Sequence, residues 1–370
     1  APHDTSNGAA GGGDTADTDN GSTATPDAPK RDKWGFAIES DSINPASSGP
    51  LDRIASERET ARAEKWVGML TQWEQCEKKG LVRQRFRKGL PDRLRGLMWK
   101  RICRADDIRA SNPHLFEELL VQDSPHEQQI ARDITRTFTS HSMFSEKGGN
   151  GQQRLFNVLK AYSVHDPAVG YCQGMGFLAA TFMIYMSDED TFACLTALCQ
   201  TYGMGGFFQP GFPLLHECFY VHQRLLERHA PRLAAHLDAE MIGAEMYATH
   251  WYTTLFSYTL PFRYVVRIVD LFLSEKFKML FRVAIALLKL HRHELIGQSF
   301  EVIVTKIKHF NTLSVDPDEF VSQVLESKIS DKEIEKFRKQ YRATVAPPAD
   351  NKLNSNTTNT ASNASSDSKK

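Results

Sequence analysis

Two polar side chains stand out by type and spacing. Arg136 closes the run Ile130-Ala-Arg-Asp133-Ile-Thr-Arg136, and Gln173 follows in Gly170-Tyr171-Cys-Gln173-Gly174. A guanidinium and a carboxamide, with no adjacent nucleophile or metal-ligand set, are poorly suited to acyl transfer. They suit phosphoryl transfer, which needs developing charge neutralised and a water oriented rather than a covalent intermediate.

Two segments must position them. Ile130, Ile134 and Phe138 recur every fourth residue, which predicts a helix carrying Asp133 and Arg136 off its apolar line. The same spacing also fits an ordinary i, i+3 ion pair on a solvated helix. Val169 to Met186 is nearly uncharged and, at 18 residues, about the minimum length for a membrane span. Its Gln173 and three glycines, and the acidic Ser187-Asp-Glu-Asp190 that follows, predict a buried core helix instead. Gly170, Gly174 and Gly176 do not form a phosphate loop, since no Lys-Ser/Thr follows and no strand precedes. Close backbone packing is their expected role.

With 370 residues, 41% of them hydrophobic, the chain has room for one large or two ordinary domains and a sizeable core. Forty-five basic residues balance forty-five acidic ones, so no global field draws it to nucleic acid or to an anionic membrane. Between Lys78 and Arg101 ten Lys or Arg accompany one acid, Asp92. Such a run could meet an acidic partner or lipid headgroups, but the interleaved Leu90, Leu94, Leu97, Met98 and Trp99 favour a helix with a solvated basic face.

The six cysteines include no CxxC pair and lie mostly in apolar stretches, as expected of reduced intracellular thiols. Cys172, with His165 its only nearby base, is expected to be a buried thiol rather than a nucleophile. His291 and His293 would point about 200° apart on a helix, so no metal site is expected. The N-terminus lacks a basic start and apolar segment, which makes a cytoplasmic location the expectation and the triplets at Asn20, Asn356 and Asn363 chance events.

Composition divides the chain into a disordered N-terminal tail (1–32), a lead-in segment and helix (33–84), a helical domain (85–345) and a disordered C-terminal tail (346–370). Trp34-Gly-Phe36-Ala-Ile38 reads as a local anchor for the entering chain. Trp66, Leu70 and Trp73 mark a helix within Leu51 to Glu77, and Pro91 suits a helix's first turn. Ser187, Asp316 and Ser330 each open a capping pattern. Pro231 punctuates a helical stretch from Leu214 to His236, and further helices are expected to start at Leu260-Pro261 and at Phe281. No period-two alternation appears, so the fold class is all-α.

Three motifs recur in order: Arg95-x-x-x-Trp99, Ile130-x-x-Asp133-x-x-Arg136 and Tyr171-x-Gln173. Trp251-Tyr-Thr-Thr-Leu-Phe256, Leu260-Pro-Phe262, Val269-Asp-Leu-Phe-Leu273 and Leu280 to Leu288 follow them. Together they resemble the TBC domain of Rab GTPase-activating proteins, over about residues 85–300. Val269 stands where that family usually has Trp, and Lys276 where Gly is common.

The resemblance implies a V-shaped, all-helical domain of two subdomains that activates a GTP-bound Rab-family GTPase. Arg136 would be an arginine finger neutralising charge between the β- and γ-phosphates, and Gln173 a glutamine finger orienting the attacking water. Asp133 would hold the finger helix, and Arg95 and Trp99 would pack beneath the site among buried residues such as Ile130. Tyr171 would position the strap, while Gly170 and Gly174 let the partner's backbone approach. GTP and Mg²⁺ would belong to the partner, leaving this chain without a cofactor of its own. Recruitment to endomembranes would come through the GTPase. The alternative is a Rab-binding scaffold of the same fold with weak catalysis.

Overall fold

The computed structural model describes residues 29–38, 50–308, 310 and 313–345. Apart from residues 29–32, the two expected tails lie outside the described residues, as do the three Asn triplets. Three helices lead in: α1 (Pro50–Leu70), α2 (Trp73–Lys78) and α3 (Leu81–Lys88). A first group follows, α4 (Asp92–Cys103), α5 (Ala105–Ser111), α6 (Leu115–Leu120), α7 (Glu127–Ile134), α8 (Asn150–His165), α9 (Met175–Met183) and α10 (Asp188–Gln200). The second comprises α11 (Pro213–His229), α12 (Pro231–Ala239), α13 (Ala248–Thr253), α14 (Phe262–Glu275), α15 (Phe277–Leu290), α16 (Arg292–Leu295), α17 (Phe300–Lys308), α18 (Pro317–Glu326) and α19 (Asp331–Val345). No strand occurs among the described residues, only the isolated bridges Arg31↔Ala37 and Phe36↔His141. The fold is all-α.

The helix boundaries follow the capping chemistry. Ser187 Oγ accepts the Asp190 amide at 3.3 Å to open α10, and Asp316 accepts the amides of Asp318 and Glu319 at α18. Ser330 does the same for Glu333 at 3.2 Å. Pro231 begins α12 where its missing N–H costs nothing. Several boundaries differ from the sequence reading: α15 begins at Phe277 rather than Phe281, α7 stops at Ile134, and the helix expected over Leu51 to Glu77 breaks after Leu70, so that Trp73 opens α2. Lys276, between α14 and α15, adopts φ 58° and ψ −149°, a region that normally requires glycine.

Packing organises the helices around two centres. In the first group α8 lies against α6, α7, α9 and α10, and in the second α15 lies against α11, α13, α14 and α18. The groups meet where α14 packs on α3 and α4. Trp66, Trp99, Tyr162, Trp251 and Tyr252 are all fully enclosed, each removing a large apolar surface from water. The apolar stretch 169–186 contains α9, a core helix of nine residues, preceded by a non-helical strap that carries Gln173. Among the described residues no helix is long and apolar enough to cross a membrane.

Candidate functional site

The turn bearing Arg136 begins where α7 ends. Thr135 Oγ1 donates to the Arg132 carbonyl at 2.8 Å and Thr137 Oγ1 to the Asp133 carbonyl at 2.9 Å. The threonine hydroxyls thus take up C-terminal carbonyls, and the backbone turns instead of continuing the helix. Arg136 therefore stands just past the helix rather than on it, and Phe138, expected on the same apolar line, lies in the left-handed region at φ 48°. The β-branched, hydroxyl-bearing residues at 135 and 137 explain why periodicity overran the boundary.

Asp133 joins this turn to the strap. One of its carboxylate oxygens accepts from Arg136 Nη2 and the other from the Tyr171 hydroxyl at 2.9 Å. Asp133 and Tyr171 are buried, whereas the Arg136 side chain is 54% exposed. Burial, reinforced by the Asp133 charge, pushes the Tyr171 phenol well above its ordinary pKa, so it remains a donor. Gln173 is exposed, and its carboxamide makes no hydrogen bond to any described residue.

Gly170, at φ 60°, and Gly174, at φ 106°, bend the strap on either side of Gln173. A Cβ at Gly170 would run into the His126 ring, and one at Gly174 would come within 3.3 Å of Thr254 Cγ2. Both glycines are thus required by the protein's own close packing.

Asp133, Arg136, Tyr171, Gln173 and Gly174 line a cleft of about 140 Å³. Its far wall is His250 and Tyr258, stacked at 4.5 Å, from the second helical group. Burial, with a contribution from the Arg136 charge, lowers the His250 pKa, keeping the ring neutral. Neither wall residue was identified from the sequence. His250 directly precedes the Trp251-Tyr-Thr-Thr motif, the one signal that marked the region. The cleft is smaller than ordinary small-molecule sites of about 300–1,000 Å³ and cannot enclose a nucleotide.

Arg95, Trp99, Ile130 and Gly170 do not line it. Arg95 and Trp99 converge instead on Asp270 of α14: Arg95 Nη2 donates to Asp270 Oδ2 at 3.2 Å and Trp99 Nε1 to Oδ1 at 2.8 Å. Arg267 donates to the same carboxylate at 3.2 Å. Ile130 is fully buried. Burial raises the Cys172 thiol pKa, and His165 packs its ring on Phe192 at 5.4 Å, so no thiolate–imidazole pair forms.

A family model of the Rab-GTPase-TBC domain matches residues 92–296. The human ecotropic viral integration site 5 protein homolog is 33% identical over 280 residues, which make up 75% of this chain and 34% of that protein. The Rab GTPase-activating protein tbc-11 of Caenorhabditis elegans is 36% identical, over 71% of this chain and 28% of its own length. The chain thus spans about a third of the length of these relatives. Among solved structures, the Chlamydomonas flagellar RabGAP TBC domain aligns with a TM-score of 0.63 at 24% identity, covering 80% of this chain and 99% of that one. With residues 92–296 matched, more than half its length, the chain belongs to the Rab-GTPase-TBC domain family.

Proposed function

We propose that this chain accelerates GTP hydrolysis by a Rab-family GTPase in its GTP-bound state, supplying Arg136 and Gln173 in trans. The observation that carries this reading is the shared cleft. An exposed guanidinium, held on one nitrogen by Asp133 with its other nitrogens unbonded among the described residues, stands with an unbonded carboxamide around a space too small for a nucleotide. Such a half-site can reach phosphate oxygens and a water presented by another protein's surface. Arg136 would neutralise charge as the β–γ bond breaks, and Gln173 would orient the water. GTP and Mg²⁺ would arrive with the partner. The chain would act in the cytoplasm, drawn to endomembranes by the GTPase.

An arginine finger contributes roughly 10³ to 10⁵ in rate, or about 4 to 7 kcal/mol. Single-turnover GTP hydrolysis by a panel of Rab proteins should therefore rise with the wild-type chain. Arg136→Ala should lose at least about 10³ of that stimulation, and Gln173→Ala should also be severely impaired. If no Rab responds, the chain is a binding scaffold. If Arg136→Ala stimulates fully, the finger assignment is wrong.

A further inference from the structure

The segment before α1 makes more bonds than an anchor for the entering chain requires, and they converge on one loop. Asp32 Oδ1 accepts the amides of Trp34 at 3.0 Å and Phe36 at 2.9 Å, and the Asp32 amide donates to the Phe36 carbonyl at 2.8 Å. This closes a compact turn around Gly35, which has φ 102°. The turn is pinned to residues 140–142: Ala37 N donates to Ser140 O at 3.0 Å, Ser142 N to Gly35 O at 2.9 Å, and Arg31 Nη1 to both Gly35 O and Ser140 O. His141, buried, places Nε2 at 2.7 Å from the Trp34 carbonyl, while its Nδ1 accepts the Met143 amide at 3.0 Å. A Cβ on Gly35 would lie 2.8 Å from Ser142 Oγ, so this approach needs glycine.

Residues 140–142 continue the chain that bears Arg136. Phe138 lies between them in the left-handed conformation, which a bulky side chain adopts only when its surroundings over-determine it. Those surroundings are aromatic. The Phe36 ring stands edge-on to Phe138 at 5.2 Å, and Phe262 and Phe177 lie 5.9 and 5.2 Å from it. Trp34 extends the cover by packing on Phe262 at 5.9 Å and donating from Nε1 to Asp92, which also pairs with Lys33. Without Phe36, one side of the Phe138 pocket would open and its edge-to-face ring contact would be lost.

We propose that residues Arg31 to Ile38 form a clamp that positions the Arg136 turn, with Phe36 acting as a positioning residue through Phe138. This deepens the activator reading and rests on it for the effect on hydrolysis. The clamp's existence has a separate readout. Phe36 touches neither Arg136 nor the cleft, so its removal should loosen the finger without removing any group that meets the GTPase.

The test uses the full chain with Phe36→Ala, Phe36→Tyr and Gly35→Ala. Amide exchange across residues 135–142 should quicken at least about tenfold in Phe36→Ala and Gly35→Ala, roughly 1.4 kcal/mol of lost protection, and stay near wild type in Phe36→Tyr. Thermal melting read at the helices should show the domain folded in all three. With a responsive Rab, Phe36→Ala should lower kcat about tenfold while KM changes less than about twofold, and Phe36→Tyr should rescue. Unchanged exchange in Phe36→Ala overturns the clamp whatever the GTPase assay gives. Faster exchange with unchanged kcat, or a loss carried by KM alone, overturns the positioning role. If the wild-type chain activates no Rab, the activator reading fails while the exchange result still decides the clamp.

Discussion

Asp133 is hydrogen-bonded both to Arg136 and to Tyr171 of the strap that carries Gln173, so Asp133→Asn tests whether the two segments are held as a unit. An asparagine of the same shape can offer its oxygen to Arg136 and its amide hydrogens to the Tyr171 oxygen, which removes the charge from both contacts and reverses the second, so that the phenol no longer donates to residue 133. The buried Tyr171 bond should lose about 1 kcal/mol of charge assistance. The Arg136 pair is 54% exposed on the arginine side and must be discounted for solvent, to about 0.2–1 kcal/mol. The sum predicts a stability loss of about 1–2 kcal/mol. If the weakened pair leaves Arg136 less preorganised by up to about 1 kcal/mol, kcat should fall by up to about fivefold, with KM unchanged. Denaturant unfolding and single-turnover hydrolysis would read the two effects. In a cycle with Arg136→Ala, the part of the Asp133→Asn effect on rate that acts through the arginine should vanish. A full effect persisting without Arg136, or an unchanged kcat with the stability loss present, would refute the reasoning.

Lys276→Gly should stabilise the domain. The residue's φ of 58° and ψ of −149° cost about 1–3 kcal/mol, against smaller losses from a freer unfolded chain and from the Lys276–Tyr202 cation–π contact at 5.6 Å. A net gain of about 1 kcal/mol, or roughly 2 °C in Tm, is expected, and Lys276→Ala should melt below the glycine variant. His222, buried between the hydroxyls of Tyr252 and Tyr247, has its pKa lowered by burial to about 3. The unfolded chain, with its ordinary value near 6.5, therefore takes the proton first. Its contribution is complete above about pH 6.5 and is lost as pH falls toward 3, by roughly 2 kcal/mol between pH 7 and 5. Melting curves of His222→Gln over that interval should fall less steeply with acidity than those of the wild type.

What the sequence made legible depended on whether a feature is local. Caps at Ser187, Asp316 and Ser330 are set by side chains within three residues of the amides they satisfy, so the helices they open were readable. The bend after Ile134 was not, because apolar periodicity at Ile130, Ile134 and Phe138 persists across it; Phe138 faces the core from a turn rather than a helix. Arg136 and Gln173 were recognisable from motif spacing, while His250 and Tyr258 were not, since they reach the cleft only through packing between the two helical groups. The glycines were read correctly as close-packing positions, but their neighbours, His126 and Thr254, belong to distant parts of the chain. Lys276 was visible as a departure, and its conformation supplies the physical reason: the turn between α14 and α15 requires a positive φ.

The first motif, away from the cleft, still bears on it through α14. Phe262 is that helix's first residue and Asp270 lies eight positions on, a rise of about 12 Å. Past the midpoint of the helix Asp270 fixes Arg95, Trp99 and Arg267. At its start, Phe262 packs on Phe138, Phe36, Trp34 and Tyr185. Arg95 and Arg267 are buried cations that share Asp270 and each keep one more exposed carboxylate, Asp92 for Arg95 and Asp318 for Arg267, so removing Asp270 would leave them partly compensated, at a cost below the roughly 3–5 kcal/mol of a fully broken buried pair. The register of α14 against α4 is thereby strongly held, and with it the depth at which Phe262 meets the Arg136 turn. Arg95 and Trp99 therefore hold the body of a helix whose first residue supports Phe138, two residues from Arg136, and their motif bears on the cleft without lining it.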